Sequence, residues 1–425
     1  MYNIGGENML KVVETFSGIG AQAAALRNIG VDYKIVGTAD WDVNAILAYD
    51  LIHYGKPNKS KYDNMKKEEL LNILSKYTLS MDGKKPATPK QIESQNREFL
   101  ARLCAAIDRT HNMVSVTDIK GENIPNDTDL LTYSFPCQDL STAGFWHGNK
   151  GGIDRDAHNR SSMLWQVERI LLERYNNNLS MPKFLLMENV TNIISSRHAK
   201  NFKEWQKSLK KMGYVSYVMI LNAKDFGIPQ KRKRCYMLSV NVNKNKELKK
   251  KIDRYFKRHD LQNAAYLETL HLKERKVKDI LKLDYQNPIY KYEADYSQPN
   301  STKSRLSIWN NNEKLFVNNH INVEVIPTLT TKQDRHPNSG VIEYTKKEKK
   351  SAFRYLTPRE GFMLMGFEEE DYQRIIDNNF KSKSGTNFFT RDKLNKMAGN
   401  SIVVFVLEQI FNQIVDINDN ILNEE

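Results

Sequence analysis

The sequence predicts an α/β protein, a mostly parallel sheet layered with helices and joined to a smaller second domain. Three observations carry that expectation. Short β-branched and apolar runs alternate with stretches of helical periodicity, the pattern of parallel strands linked by crossover helices. The first such unit holds a glycine-rich turn, with an acidic residue about 20 positions further on. After Asn241 the composition shifts to Asn, Lys and Tyr, and the regular alternation fades.

Residues 10–16 (LKVVETF) read as a strand that turns through Ser17-Gly18-Ile19-Gly20 into an Ala-rich helix over 21–28. The next strand, 34–39, ends at Asp40-Trp41-Asp42. Gly18, Gly20 and Ala23 form G-x-G-x-x-A, and with Asp40 they have the spacing of a dinucleotide fingerprint. Glycines let a backbone approach its ligand, and a carboxylate at the second strand end pairs with ribose hydroxyls. The motif therefore suits any adenosine ligand, and a nicotinamide-dependent oxidoreductase is the competing reading. Residues 51–113 are Lys- and Glu-rich, helical over 66–77 and 91–106 and broken at 81–86, and they read as an insertion on the core. A short strand over 114–117 then leads to Asp118-Ile119.

Residues 130–135 (LLTYSF) have the composition of a buried strand, and Pro136 disfavours its continuation as helix. Cys137 therefore opens a loop at a strand mouth, where an α/β sheet presents reactive groups. A thiol attacks as thiolate and needs positive surroundings to ionise; a lone cysteine is otherwise a small buried hydrophobe. Residues 144–160 are Gly-rich and mixed in charge, and directly after a candidate nucleophile they read as a lid. A helix over 162–174 follows. The buried strand 184–187 ends on Glu188-Asn189-Val190, placing another carboxylate where parallel strand ends converge. After a strand over 214–221, QKRKR (230–234) runs into the strand 235–240. Alternation puts Arg232 and Arg234 on one face. That suits phosphate or base recognition, or a solvated edge strand.

With 425 residues the chain is long enough for about two domains. Its hydrophobic and charged fractions, 40% and 27%, are those of a globular protein. No run of about 18 apolar residues predicts a membrane span, and MYNIGGENML lacks the basic-then-apolar order of a signal peptide. Three cysteines, Cys104, Cys137 and Cys235, argue against a disulfide framework and for a reducing cytoplasm. The absence of CxxC and HExxH leaves no metal site expected. A net charge of +13 favours a polyanionic partner. The basic cluster over 244–258, interleaved with Tyr255, Phe256 and His259, reads as a phosphate-contacting surface or a solvated helix face. Thr357 and Pro358 mark a helix start over 354–367, and AGNSI (398–402) precedes an apolar helix over 403–414.

In this order, FSGIG (16–20), ADWD (39–42), TDI (117–119), PCQDLS (136–141), MENV (187–190), QKRKR (230–234), PTLTT (327–331), RYLTPRE (354–360) and AGNSI (398–402) resemble the DNA (cytosine-5)-methyltransferase family of bacterial and phage restriction-modification type. The blocks leave 51–113 and 241–325 unmatched. The resemblance implies a Rossmann-like S-adenosylmethionine-dependent core over 1–240, with 51–113 as a helical insertion. It further implies a target-recognition domain over 241–350 and a C-terminal segment over 351–425 that returns to the core. S-adenosyl-L-methionine would be held by Phe16, Gly18, Gly20, Asp40, Trp41, Asp118, Ile119, Asn400 and Ser401. Cys137, Glu188, Arg232 and Arg234 would be catalytic, with Cys137 attacking carbon 6 of a cytosine flipped out of double-stranded DNA. Gln138, Ser141 and Thr330 would contact that DNA. The enzyme would be a cytoplasmic monomer that protects host DNA from a cognate restriction endonuclease without a stable complex. Transfer RNA as substrate, or a DNA-binding module without catalysis, are the alternatives. The long stretch between QKRKR and RYLTPRE favours DNA.

Overall fold

The computed structural model describes residues 9–136, 140, 153–155, 160–345 and 347–422. Cys137, Gln138 and Ser141 lie outside the described residues, as does most of the expected lid. The chain forms two compact units. One comprises Met1–Leu221, Lys233–Thr269 and Leu407–Glu425, the other Asn222–Arg232 and Leu270–Val406.

The first unit is built on a six-stranded sheet. Its strands are β1 (Leu10–Thr15), β2 (Tyr33–Ala39), β3 (Leu130–Tyr133), β4 (Phe184–Val190), β5 (Tyr214–Asn222) and, after the two-residue β6 (Gln230–Lys231) of the other unit, β7 (Lys233–Asn241). The order is β2-β1-β3-β4-β7-β5. Strands β1 to β4 run parallel and β7 is antiparallel to β4. All four residues of β3 are buried, as a parallel strand covered on both faces requires. Val13, Leu131, Leu185 and Met187 share one core with Tyr133 and Trp205; the Trp205 indole N–H donates to the Tyr133 hydroxyl at 3.1 Å. Register aligns the strand ends that form the site. Thr15 faces both Ala39 and Tyr133, and Tyr133 faces Met187.

Three local expectations change. Residues 114–117 are not a strand: Val114 has φ +64°, and the chain turns there, with the Asp118 N–H donating to the Ser115 carbonyl at 3.0 Å. Glu188 lies inside β4 rather than beyond it, because β7 pairs with β4 as far as Val190. The basic helix Lys246–Arg258 lies in the first unit, although its composition resembles the second domain. Its Leu248, Ile252 and Phe256 form a buried stripe, and Phe256 stacks on Tyr217 of β5 with ring centroids 4.0 Å apart.

The 51–113 segment contains the helices Lys67–Leu74, Pro89–Glu93 and Arg97–Arg109. Its ends are stitched to the region after β2. The Met113 N–H donates to Thr38 at 2.8 Å, the Ser80 N–H to Trp41 at 2.8 Å, and the Val43 N–H to Ser80 at 3.0 Å. The segment Arg391–Leu422 is apolar and long enough to cross a membrane by composition. It consists of separate helices, Arg391–Asn400 and Val404–Ile417, broken at an extended Ser401 (ψ 162°). Leu407, Ile410, Phe411, Ile414 and Ile417 are buried in the protein.

The second unit holds a four-stranded sheet, β8 (Lys314–Val317), β9 (His320–Ile321), β11 (Val341–Glu343) and β12 (Phe353–Tyr355), in the order β12-β11-β8-β9. A separate parallel pair joins β6 to β10 (Ile326–Pro327). Residues 351–406 also belong to this unit. Here Arg354 makes a fully buried bidentate pair with Glu360 at 2.8 Å to each oxygen. Glu360 also accepts the Thr357 N–H at 2.8 Å, closing a capping box on the N-cap expected at Thr357.

Candidate active site

The glycine turn follows directly from β1. Phe16, Gly18 and Gly20 all have positive φ, at 55°, 56° and 77°. That region is natural for glycine and uncommon for phenylalanine. The turn is held by Asp40 at the end of β2, whose two carboxylate oxygens accept the Gly18 N–H at 2.9 Å and the Asp42 N–H at 2.8 Å. A side chain at Gly18 would project into open space, whereas a Cβ at Gly20 would lie 2.2 Å from His53 Nε2. Gly18 thus leaves room for a ligand, and Gly20 lets the helix Ala21–Ile29 begin against Tyr49 and His53. Trp41 is half-buried beside Asp40.

Asp118 is exposed and Ile119 buried. Their turn is clamped by Arg169, which donates to the carbonyls of Val116, Thr117 and Ile119. These features fit an adenosyl group. There is open space over a glycine turn, a fixed carboxylate with acceptor capacity beyond its two backbone bonds, an aromatic ring and a second exposed carboxylate.

At the mouth of β3 and β4 the chain is held on both sides of 137–139. The Asn189 amide donates to the Phe135 carbonyl at 3.0 Å, and the Asn192 amide donates to the Leu140 carbonyl at 2.6 Å. Further along the expected lid, the buried Ile153 accepts from the Trp165 indole at 2.9 Å, and Arg155 lies 3.7 Å from the Trp165 ring centre. Glu188 on β4 faces Arg234 on β7, with Oε1 3.3 Å from Nε. In this antiparallel pair Glu188 is opposite Tyr236 and Val190 opposite Arg234, so the two charges are diagonal neighbours on one face. Both are largely buried. The arrangement offers an acceptor and a donor together at the strand mouth.

Arg232 is placed differently from Arg234. Because β7 starts at Lys233, strand alternation does not extend back to Arg232. Its buried guanidinium donates to the carbonyls of Leu329 at 2.9 Å, Gly399 at 3.1 Å and Ser401 at 2.9 Å, all within the second unit. Thr330, half-buried, donates its hydroxyl to the Lys332 carbonyl at 2.7 Å. Asn400 is exposed at the end of its helix, and Ser401 is buried.

The model of C-5 cytosine-specific DNA methylases matches residues 87–416. The chain belongs to that family. This DNA (cytosine-5-)-methyltransferase is 33% identical over 417 residues to the orphan methyltransferase M.SssI of Spiroplasma monobiae, covering 95% of this chain and 97% of that one. It is 30% identical over 408 residues to the type II methyltransferase M2.ScrFI of Lactococcus lactis subsp. cremoris, covering 96% and 99%. Among solved structures, the S. pombe Dnmt2 methyltransferase matches with a TM-score of 0.57 at 17% identity, over 97% of this chain and 99% of that one. That likeness is one of fold, the mixed, mostly parallel α/β sheet expected from the sequence.

Several residues that shape the candidate site are invisible to motif reading. Asn112 bridges the insertion to the end of β2, with Oδ1 accepting the Asp40 N–H at 3.2 Å and the amide donating to the Asp40 carbonyl at 3.3 Å. Asn192 and Arg169 act the same way elsewhere. Each works through a side-chain bond to a distant backbone, which leaves no periodicity in sequence. Asn189 alone lies inside a recognised block.

Proposed function

We propose that this methyltransferase flips a cytosine out of duplex DNA and methylates carbon 5 from S-adenosyl-L-methionine through a covalent Cys137 adduct. The observation that supports it best is the Glu188–Arg234 pair at 3.3 Å, beside a loop tied at Phe135 and Leu140 on either side of Cys137. A stacked base cannot be reached, so the cytosine must leave the helix.

Carbon 5 of cytosine is a poor nucleophile. The Cys137 thiolate attacks carbon 6 and raises the electron density at carbon 5. Glu188, carrying a proton on its carboxyl, protonates or hydrogen-bonds ring nitrogen 3 and draws charge out of the ring as the adduct forms. Arg234 donates to the base carbonyl oxygen, where negative charge develops. Bound S-adenosyl-L-methionine supplies the methyl group that carbon 5 takes. A base then removes the carbon 5 proton, and elimination returns Cys137 as thiolate.

Asp40 orients ribose hydroxyls, Trp41 stacks on the adenine, and Asp118 accepts from its exocyclic amine. Phe16, Gly18, Gly20 and Ile119 also contact S-adenosyl-L-methionine, as do Asn400 and Ser401. Gln138, Ser141 and Thr330 contact the flipped strand, and residues within 241–350 read the site in the major groove. The enzyme acts as a cytoplasmic monomer and protects host DNA from an endonuclease of the same specificity, without a stable complex between the two.

The test is transfer of labelled methyl from S-adenosyl-L-methionine to mixed-sequence duplex DNA and, in parallel, to bulk transfer RNA. Both products are mapped for 5-methylcytosine. Label at one short recurrent DNA sequence is the expected result and names the target site. Label in RNA alone would keep the chemistry and overturn the substrate.

A further inference from the structure

The role of Arg232 follows from where its donors go. Arg232 is 4% exposed, and its guanidinium is shared by two turns far apart in sequence, the PTLTT turn through Leu329 and the AGNSI turn through Gly399 and Ser401. Its fork is planar and rigid, so three carbonyls bound at 2.9–3.1 Å fix the separation of the two turns. The charge also complements the C-terminal end of the helix Arg391–Asn400, whose last carbonyls it binds.

Other contacts tighten the same joint. Gln230, two residues earlier, accepts the Leu329 N–H at 2.9 Å and donates to the Leu364 carbonyl at 2.8 Å. Gly399 lies against the peptide joining Thr330 and Thr331, where a Cβ would lie only 2.6 Å from Thr330 C and Thr331 N. Neither turn can shift without moving the other.

We propose that Arg232 is a positioning residue that couples the DNA-contacting turn at Thr330 to the cofactor-contacting turn at Asn400 and Ser401, so that occupancy of one ligand site strengthens the other. The inference rests on the ligand roles given above to those turns. By linkage the coupling is reciprocal.

The experiment measures the Kd of S-adenosylhomocysteine for the full-length protein, alone and with a saturating duplex carrying the methylated site. In the parent protein the duplex should tighten it by about tenfold, within the usual range of coupling. Arg232→Lys keeps the charge and loses the fork, and should cut that factor to about twofold or less. Gly399→Ala, which forces the same turns apart with Arg232 intact, should do likewise. A purely structural arginine would lower the melting temperature and both affinities while leaving the factor unchanged, and that result overturns the proposal. So does a parent protein without coupling. Thr330→Ala and Asn400→Ala serve as controls, expected to weaken duplex and cofactor binding respectively. If either leaves its ligand unaffected, the ligand assignment of that turn has failed, and the coupling proposal falls with it.

Discussion

The Asn189 side-chain amide donates to the Phe135 carbonyl at 3.0 Å in a fully buried bond, fastening the exit of β3 to the strand that carries Glu188. The same asparagine accepts the Val190 N–H at 2.9 Å, so its side chain is fixed at both ends. Cys137 follows Phe135 by two residues and Glu188 precedes Asn189 by one. One amide thus ties the Phe135 backbone, two residues before the proposed nucleophile in sequence, to the strand that bears the proposed ring-nitrogen partner.

Asn189→Ala would leave the buried Phe135 carbonyl without its donor, at a cost of about 1–3 kcal/mol in stability. Misplacement of the reacting groups should lower kcat by roughly a hundredfold. The affinity for S-adenosylhomocysteine should stay near the parent value, since Asn189 does not touch the glycine turn. Denaturant unfolding and single-turnover methyl transfer measure the two effects separately. A loss confined to stability would remove Asn189 from the catalytic geometry.

Arg234→Ala should lower kcat by about 10²–10³, the scale of deleting one donor to a developing negative charge. Glu188 would also lose the cation 3.3 Å away. Duplex affinity should change only slightly. A mutant defective mainly in duplex binding would mark Arg234 as a phosphate contact instead.

Asp40→Ala should act on the cofactor. It removes the acceptor of the Gly18 and Asp42 N–H groups as well as the proposed ribose contact. Equilibrium titration should give a Kd for S-adenosyl-L-methionine weakened by about tenfold or more, each tenfold being worth roughly 1.4 kcal/mol. Unchanged affinity would exclude Asp40 from the pocket.

What sequence could reveal here divides by the kind of interaction. The glycine turn and Asp40 were legible because backbone conformation restricts residue type, and β3 and β4 because buried parallel strands are apolar throughout. Arg232 was misplaced because strand alternation was carried back through the break between β6 and β7, where a residue outside both strands takes a different environment. The RYLTPRE block was recognisable as a family motif and Thr357 as a helix cap, while the buried Arg354–Glu360 pair that completes that cap needed coordinates. The insertion's helices were readable from periodicity. Its docking through Asn112 and Ser80 was not, since single polar contacts to a remote backbone carry no pattern.

The buried Arg354–Glu360 pair should be costly to break from one side. Glu360→Gln would leave a guanidinium with no exposure facing a neutral amide, and also weaken the Thr357 cap, destabilising by about 3–5 kcal/mol. Arg354→Met combined with Glu360→Leu removes both charges and should cost less than the single change. Denaturant midpoints of the parent and the two variants test this ordering. A double variant no more stable than Glu360→Gln would mean that the unpaired buried charge is not what the single change costs.

Glu14 gives the methyltransferase a pH-dependent stability. It lies within β1, and neither carboxyl oxygen makes a well-formed hydrogen bond. Burial pushes its carboxyl up from the ordinary 4.5 to about 8, and the Tyr49 hydroxyl and Ala23 N–H pull it only partly back. Burial also raises Tyr33, Tyr49 and Tyr54 around it, and a charged Glu14 would raise them further. The folded state therefore keeps a proton that the unfolded chain releases above about 4.5. Stability from this group is full below that value and is lost as pH rises through about 8. Glu14→Gln is neutral in both states, so its advantage over the parent should grow with pH across that window and level off above it. Thermal unfolding of both proteins over a pH series measures this. A constant difference in Tm would mean that Glu14 is already ionised in the fold.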